Sequence, residues 1–599
     1  MNHAVERGIS LHFIFNNEGK YATRMLESFK DAFDEVCAVR ACGSLKPDDT
    51  WEQIVAWCVE RKVPLYIKEY RNEGWQEGQP FDLEVKDEEP GTWPHVDDFG
   101  AARNAAHRLC TQYWTLWADC DDLLADGSAE TIRNCAARDD FHWWFFNYQD
   151  GPTRAKRERL MKRGSSQWQW PLHETQTAAG LWLKYDPTRG FTEQALWVHR
   201  AEGKDRRPNA ARNHRILARK QHNAWVWDYY RAKDFLMQGD WARGEAFARL
   251  GLTNFAMEKD FRFDLVMTLA ERAPSLQLAQ QYAMMAFGLS PDRREPLHYL
   301  ARIALDDKRP EDALAYAWTC GIKPNLSPHK QPFGYRPSVY QYEGSQIFAQ
   351  AARASGNEEL AKKNEDKLYE DCGGKITMVH ATRGRALQAL QCRDEWYRRA
   401  ANPGGIEHIF AVDDDDKEVL GVMKQLGYKY VEVPAGGGCV RAWNVATHAA
   451  KGEVIVQVSD DFFPPYRWDE SILARLGDTT KPKVLAVSDG IRQDGLLCIA
   501  IVTKARIKEQ TGGLLFWKEY KSMYSDNEFS IRAYADNVVV EARDLVFEHK
   551  HPLAQGIPIE KWHPTTRESN SEENYKTGKE IFERRNQAQI KLMVERAAK

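Results

Sequence analysis

The sequence predicts an α/β protein in which two blocks of alternating strands and helices flank an all-helical block. Three observations carry that reading. Short apolar runs alternate with amphipathic stretches up to about residue 220, the alternation stops from about 221 to 372, and it restarts at 373. Apolar runs separated by helices are the pattern of a largely parallel sheet covered on both faces.

In the first block, LHFIF (Leu11 to Phe15) is the opening strand and ends in Asn16, Asn17 and Glu18. An amphipathic stretch with Met25, Leu26 and Phe29 follows, then VCAV (Val36 to Val39), a helical stretch around Ile54 to Val59, and PLYI (Pro64 to Ile67). In the middle block, Tyr229, Ala232, Phe235 and Leu236 fall at helical spacing, Gly239-Asp240 breaks it, and Ala242, Ala246 and Leu250 resume it. Leu297, Leu300 and Ile303 form a second such pair with Ala313, Leu314 and Ala317 across a polar break at Asp306 to Arg309. Each pair needs a neighbour to bury its apolar face, so stacked helix pairs explain the pattern. It loosely resembles tetratricopeptide repeats, and an irregular helical linker would give it too. Gly373-Gly374 opens the last block, with strands ITMVH, HIFAV, YVEV, VIVQV, KVLAV and LLCIAIV, and the charged tail carries a helix from about Tyr575.

A length of 599 residues fits three to five domains at roughly 100–200 residues each. The expected boundaries are 1–220, 221–372 and 373–599. With 43% hydrophobic and 28% charged residues the chain can build ordinary cores, which excludes wholesale disorder. A net charge of -4 argues against a generic nucleic-acid binder and leaves a local basic surface open. The 11 cysteines are scattered without a C-x-x-C pair, which argues against a disulfide framework or a structural zinc site. Reduced thiols imply an intracellular chain, expected in a bacterial or phage-infected cytoplasm. No apolar run has the length of a membrane span or signal core, so membrane insertion is not expected.

The chemistry concentrates in DDFGAARNAAHRLCTQYWTLWADCDD, Asp97 to Asp122. A helix over about 101–109 leads into a short strand that ends in Asp119, Cys120, Asp121 and Asp122. Clustered carboxylates repel unless a cation lies between them, and oxygen ligands suit Mg2+ or Mn2+. Acidic residues after a strand also cap helices, so the cluster alone decides nothing. Taken with Arg103-Asn104 on the preceding helix, the arrangement resembles the family-2 glycosyltransferases of the GT-A fold, where an R-N pair precedes a strand carrying a metal-binding D-x-D. The resemblance extends back to LHFIFNNEGKYATRMLESF with Asn17, and forward to WQWPLHE with Glu174 and to WVHRAEGKD with His199.

The resemblance implies the following roles. Asn17, Arg103, Asn104 and Asp119 serve the nucleotide-sugar donor, Asp121 and His199 hold the cation, and Glu174 is the general base. The strand end AVRACGS departs from the family, with Ala41 and Cys42 where an aspartate reads the nucleotide base.

The last block resembles the same family more fully at the donor end. HATRGRA carries Arg383 and Arg385, suited to phosphate or ribose because guanidinium donates in a fork. HIFAVDDDD ends in Asp413 and Asp414 at the base-reading position. GGGCVRAWNVATHAAKGEVIVQVSDDFFPP supplies a glycine run at Gly436 to Gly438, Arg441 and Asn444 as an R-x-x-N helix, and Ser459-Asp460-Asp461 at the metal-motif position. Asp460 is expected on the donor, Asp461 and His549 on the cation, and Asp526 in YSDNEFSIRA as the base. The fold class expected from the resemblance is thus two GT-A (Rossmann-like) domains around a helical-repeat-like domain. The expected reaction is metal-dependent, inverting transfer from a UDP- or GDP-sugar to an acceptor hydroxyl, with one Mn2+ or Mg2+ in each active module.

For the acceptor, TRAKRERLMKR and RAEGKDRRPNAARNHRILARK place many basic residues on either side of Trp168 and Trp170. Cations interleaved with aromatics fit a nucleic-acid track, and a hydroxylated base in phage DNA is one acceptor of that kind. A glycan or protein acceptor, or a solvated basic face, fits the same residues. The competing class is one active module beside a degenerate binding scaffold, with the altered end at Ala41 marking the first module as the suspect. Nothing in the sequence reports the oligomeric state.

Overall fold

A computed structural model describes residues 7–81, 83–150, 153–180, 184, 187–199, 207–219, 224–323 and 335–587. It divides the chain into two compact units, 1–291 with 325–337, and 292–324 with 338–599.

Unit one carries strands β1 (Ile9–Phe15), β2 (Glu35–Arg40), β3 (Leu65–Glu69), β4 (Trp114–Trp117), β5 (Asp122–Leu124), β6 (Trp143–Asp150), β7 (Thr153–Lys162), β8 (Ser166–Gln169), β9 (Thr175–Ala178) and β10 (Arg189–His199). Its main sheet runs β3-β2-β1-β4-β7-β6-β10-β5. The first four are parallel, β7 is antiparallel to both β4 and β6, and β10 returns parallel to β6. Strands β1 and β4 are buried on both faces, the polar Ser10, His12 and Thr115 included. Phe13, Phe15, Leu116 and Trp197 share one core with Met25, Leu26 and Phe29 of the helix Gly19–Phe29.

Unit two carries β11 (Ile376–Thr382), β12 (Ile406–Asp413), β13 (Tyr430–Val433), β14 (Val454–Val458), β15 (Phe462–Phe463), β16 (Val484–Ser488), β17 (Ile501–Thr503), β18 (Val539–Val546) and β19 (Glu548–His549). Its main sheet runs β13-β12-β11-β14-β17-β16-β18 and repeats the parallel 3-2-1-4 half followed by an antiparallel strand. The register repeats as well. Ser10 faces Glu35 across β1 and β2 and donates to it at 2.6 Å, while Thr377 faces Glu407 across β11 and β12 and donates at 2.6 Å.

The run LLCIAIV yields a strand only at Ile501–Thr503. The preceding amides of Leu497 and Ala500 are satisfied by Ser530 Oγ and Gln457 Oε1 instead of by a neighbouring strand, so the segment is buried without joining a ladder. The helices of 221–372 divide between the units. Ala224–Met237 through Leu276–Leu289 belong to unit one, and Glu295–Asp306 through Glu358–Asp371 belong to unit two. The break at Gly239-Asp240 is a turn with Gly239 at φ 82°, after which Asp240 caps the helix Trp241–Thr253 by accepting from the Arg243 amide.

Candidate functional site

In unit one the chain leaves β4 through a tight turn and re-enters the sheet as β5, which pairs antiparallel with β10 so that His199 faces Asp122. This register gathers the acidic motif. His199 Nδ1 lies 3.5 Å from Asp121 Oδ1 and 3.4 Å from Asp122 Oδ1. Ligand atoms of Asp121, Asp122 and His199 all fall within 4.8 Å of one another, close enough to share one cation. Two carboxylates and an imidazole are a donor set that Mn2+ or Mg2+ accepts. Asp121 and His199 were the residues expected there.

Asp122 was quoted in the motif and assigned no role. The signal for it was the third acid of D-C-D-D. It is fully buried, accepts from the Asp119 amide at 3.0 Å, and pairs with Arg159 at 3.2 Å. Arg159 is itself buried, with its guanidinium 3.6 Å from the centre of the Trp117 ring.

Asp119 points elsewhere. Arg103 is buried between two carboxylates, 2.5 Å from Asp119 Oδ1 through Nη2 and 2.5 Å from Glu174 Oε1 through Nε. Burial by itself would raise the Asp119 carboxyl, but the charges of Arg103 and Arg159 outweigh it and hold the group well below the usual carboxylate range. The candidate base Glu174 is thus joined to the acidic strand end by one guanidinium. The loop before it turns through left-handed backbone at Trp170 (φ 73°) and His173 (φ 53°). His173 is stacked on Tyr230 at 3.5 Å, and its burial lowers its pKa to about 3, so it is neutral.

Asn104 clamps the β8 backbone, donating to Trp168 O at 2.8 Å and accepting from Trp168 N at 2.9 Å. Asn17 likewise binds backbone, donating to Lys46 O at 2.8 Å and accepting from Asp48 N at 3.1 Å. Both side chains shape the site's loops.

In unit two the equivalent turn places His549 against Phe462, where unit one has His199 against Asp122. His549 Nε2 lies 3.5 Å from Asp461 Oδ2. Burial raises the Asp461 carboxyl, and the His549 contact more than reverses this, leaving it below its ordinary value. Phe462 stacks on His549 at 3.9 Å, so this unit has an aromatic ring where unit one has Asp122. Asp460 turns into the sheet, 2.8 Å from His380 Nε2 and 2.9 Å from Arg385 Nε.

Arg383 bridges Asp413 at 2.5 Å and Asp415 at 2.6 Å, and burial pushes the Asp413 carboxyl up. Asn444 repeats the clamp of Asn104, donating to Phe516 O at 2.8 Å and accepting from Phe516 N at 3.0 Å. That equivalence sets Trp443 where unit one has Arg103. Arg441 is exposed and donates to Pro434 O at 3.2 Å. The glycine run also has a different use. Gly438 sits at φ 67°, and a Cβ there would lie 2.2 Å from Lys521 O, so the close approach is to the chain's own backbone. Asp526 lies in the first turn of the helix Ser525–Ala535, and burial raises its carboxyl. Glu528 is held by Tyr520 and Arg585 at 2.8 and 2.9 Å.

Among the described residues, the basic-aromatic track is largely interior or paired. TRAKRERLMKR is the strand β7, Trp168 is buried edge-on to Trp117 at 4.8 Å, and Arg159 lies beneath Trp117. Arg215 pairs with Asp87 at 2.8 Å. Arg200, Lys204, Arg206 and Lys220 lie outside the described residues, as do the side chains of Arg154 and Arg207. All 11 cysteines are free and most are buried, and no helix among the described residues is long and apolar enough to cross a membrane.

No protein-family model and no curated protein matches this chain. Solved structures that are similar to parts of it include S. aureus TarS 1–349, at 18% identity over 29% of this chain and 59% of that one, with a TM-score of 0.25. The same fragment is also solved with UDP-GlcNAc, at 16% identity over 35% and 70% of the two chains and a TM-score of 0.25. A mannosyltransferase from Pyrobaculum calidifontis, solved with GDP-Man and Mn2+, matches at 12% identity over 54% and 89%, with a TM-score of 0.23. The first of these matches spans less than two thirds of the known chain. At such TM-scores, what the chain does has to be argued from its own residues.

Proposed function

We propose that this chain is a glycosyltransferase that moves a sugar from a nucleotide-sugar donor, UDP- or GDP-linked, to an acceptor hydroxyl with inversion, and that both units are of GT-A type. The observation that carries the reading is the register that gathers Asp121, Asp122 and His199 beyond the end of β4, repeated in unit two with Asp461 and His549. A Mn2+ or Mg2+ held by Asp121, Asp122 and His199 would supply positive charge for the departing diphosphate.

The chain's own groups do the rest. Glu174 and Asp526 take the hydroxyl proton in their respective units, and Arg103 orients Glu174 at 2.5 Å. A raised carboxyl at Asp526 is a better proton acceptor than an ordinary aspartate. Arg383 and Arg385 meet donor oxyanions, and Asp413 reads the base once Arg383 yields it. In unit one, Ala41 stands where Asp413 stands and offers no such contact.

A second reading is favoured by that complementarity. Unit one has the fuller cation set without the base-reading acid, and unit two has the acid without the third ligand, which fits one active unit beside a recognition scaffold. The interior positions of Trp168 and Arg159 favour a glycan or protein acceptor over modified DNA. The test is a panel of UDP- and GDP-sugars against glycan, protein and hydroxylated-DNA acceptors, read by mass spectrometry with Mn2+ or excess chelator. Undiminished transfer in chelator refutes the cation assignment, and transfer abolished by either Asp121→Asn or Asp461→Asn alone supports the scaffold reading.

A further inference from the structure

The two units end their second strand in opposite ways. Arg40 lies opposite Phe15 as Val412 lies opposite Thr382, so Ala41 to Ser44 are the counterparts of Asp413 to Asp416. In unit two this end is open, with Asp414 and Asp415 exposed and Asp416 half-buried. In unit one Ala41, Cys42, Gly43 and Ser44 are all buried. The cause lies in the connection that follows the third strand. Residues 434–437 join β13 to the helix Gly438–Ala449, whereas residues 70–98 join β3 to the helix Phe99–His107.

The longer connection folds back onto the strand end. Ser44 donates its amide to Trp93 O at 2.6 Å and its hydroxyl to Thr92 O at 2.9 Å. A Cβ on Gly43 would collide with Trp93 O and His95 O, and Ala41 shares a small core with Val96 and Ala102. The connection is itself pinned. Asn72 donates to Pro90 O at 2.9 Å and to His95 O at 2.8 Å, and accepts from the Asp97 amide at 3.1 Å. Asp97 accepts from Tyr70 Oη at 2.8 Å, and Trp93 is fully buried with Leu172, Ile216 and Leu217. Lifting the segment would break these hydrogen bonds at about 1 kcal/mol each and expose Trp93, so it is a wall and not a lid.

The first strand differs in charge as well. Three residues beyond the paired ends Phe15 and Thr382 stand Glu18 in unit one and Arg385 in unit two. A guanidinium at that position attracts a diphosphate and a carboxylate repels it. In open α/β sheets a nucleotide lies beyond the carboxyl ends of the strands, where unit two is open and cationic and unit one is walled and acidic. We infer that the chain has a single nucleotide site, in unit two. This rests on the second reading above, one active unit beside a scaffold, and makes unit one the scaffold.

The test is isothermal titration of the full chain in Mn2+ with UDP and with GDP. One site per chain, tighter than about 1 mM, is expected for at least one of them. Asp413→Ala should weaken that binding at least about tenfold, the cost of one charged hydrogen bond. Asp121→Asn should leave it as in the wild type. Amide hydrogen exchange of the wild type locates the site without any variant, with new protection expected at 383–385 and 413–416 and none at 16–18 and 41–46. Two sites per chain, protection confined to unit one, or a site lost in Asp121→Asn and kept in Asp413→Ala would overturn the inference and leave the glycosyltransferase reading standing. Binding of neither nucleotide would overturn both.

Discussion

Replacing Arg103 with methionine tests how unit one holds its site together. The guanidinium is buried, sits 5.1 and 4.9 Å from the Trp117 and Trp168 ring centres, and is the cation between Asp119 and Glu174. Methionine keeps much of the packing and leaves two carboxylates facing one another. Removing one partner of a buried ion pair costs about 3–5 kcal/mol. Because the Asp119 side chain is 31% exposed and that of Glu174 13%, the lower end, about 3 kcal/mol, is expected. For a unit of about 300 residues that lowers the melting temperature by roughly 5 °C.

The pH dependence identifies the cause. In the wild type the Asp119 pKa is depressed, so its contribution is complete above the unfolded value of about 3.8 and fades only as pH falls through the depressed value. In the variant the two carboxyls have lost their cation, and the Asp119 carboxyl is no longer held down by Arg103. The penalty is then largest at neutral pH and is relieved as protonation neutralises one of them. Scanning calorimetry of the full chain from pH 8 to pH 5 should show the gap between wild type and variant closing. A second change, Glu174→Gln, should recover at least half of the loss at pH 8. A gap independent of pH, or no rescue by Glu174→Gln, would refute the electrostatic reading and leave packing as the cause.

Other outcomes follow from the same geometry. Asp122→Asn should weaken Mn2+ binding in unit one about tenfold or more, measured by titration calorimetry, and should also lower the melting temperature because Arg159 loses its partner. Asn104→Ala and Asn444→Ala each remove two hydrogen bonds to backbone, so a loss of about 2 kcal/mol is expected in denaturant unfolding, with Mn2+ affinity unchanged. If Asp526 is the base of unit two, the acid limb of its pH–rate profile should lie above that of an ordinary aspartate, because the group must be ionised to accept a proton and burial raises its pKa. Asp526→Asn should abolish that limb together with the turnover. Gly438→Ala should be destabilising in thermal melts, since φ 67° and the Lys521 carbonyl both exclude a Cβ.

The alternation of apolar runs and helices was enough to locate the parallel strands. LHFIF, VCAV, ITMVH, HIFAV and VIVQV are strands buried on both faces, and PLYI gives the half-exposed edge strand Leu65–Glu69. The family resemblance nominated Asp121 with His199 and Asp461 with His549, residues 78 or more positions apart that strand pairing brings together. What spacing could not decide was the direction each side chain takes. Register turns Asp460 inward to His380 while Asp461 meets His549, and it exchanges the third acid, Asp122, for Phe462. The R-x-x-N motif put Arg441 in the place that packing gives to Trp443, since only the clamp of Asn444 on Phe516 reveals the helix phase. Charge counting made β7 a basic surface, yet the two-residue period of a strand carries Arg159 inward beneath Trp117. Local composition thus settled which elements form. The partner of each charged group was settled by tertiary packing, because a buried charge must find its counter-charge wherever the fold places one.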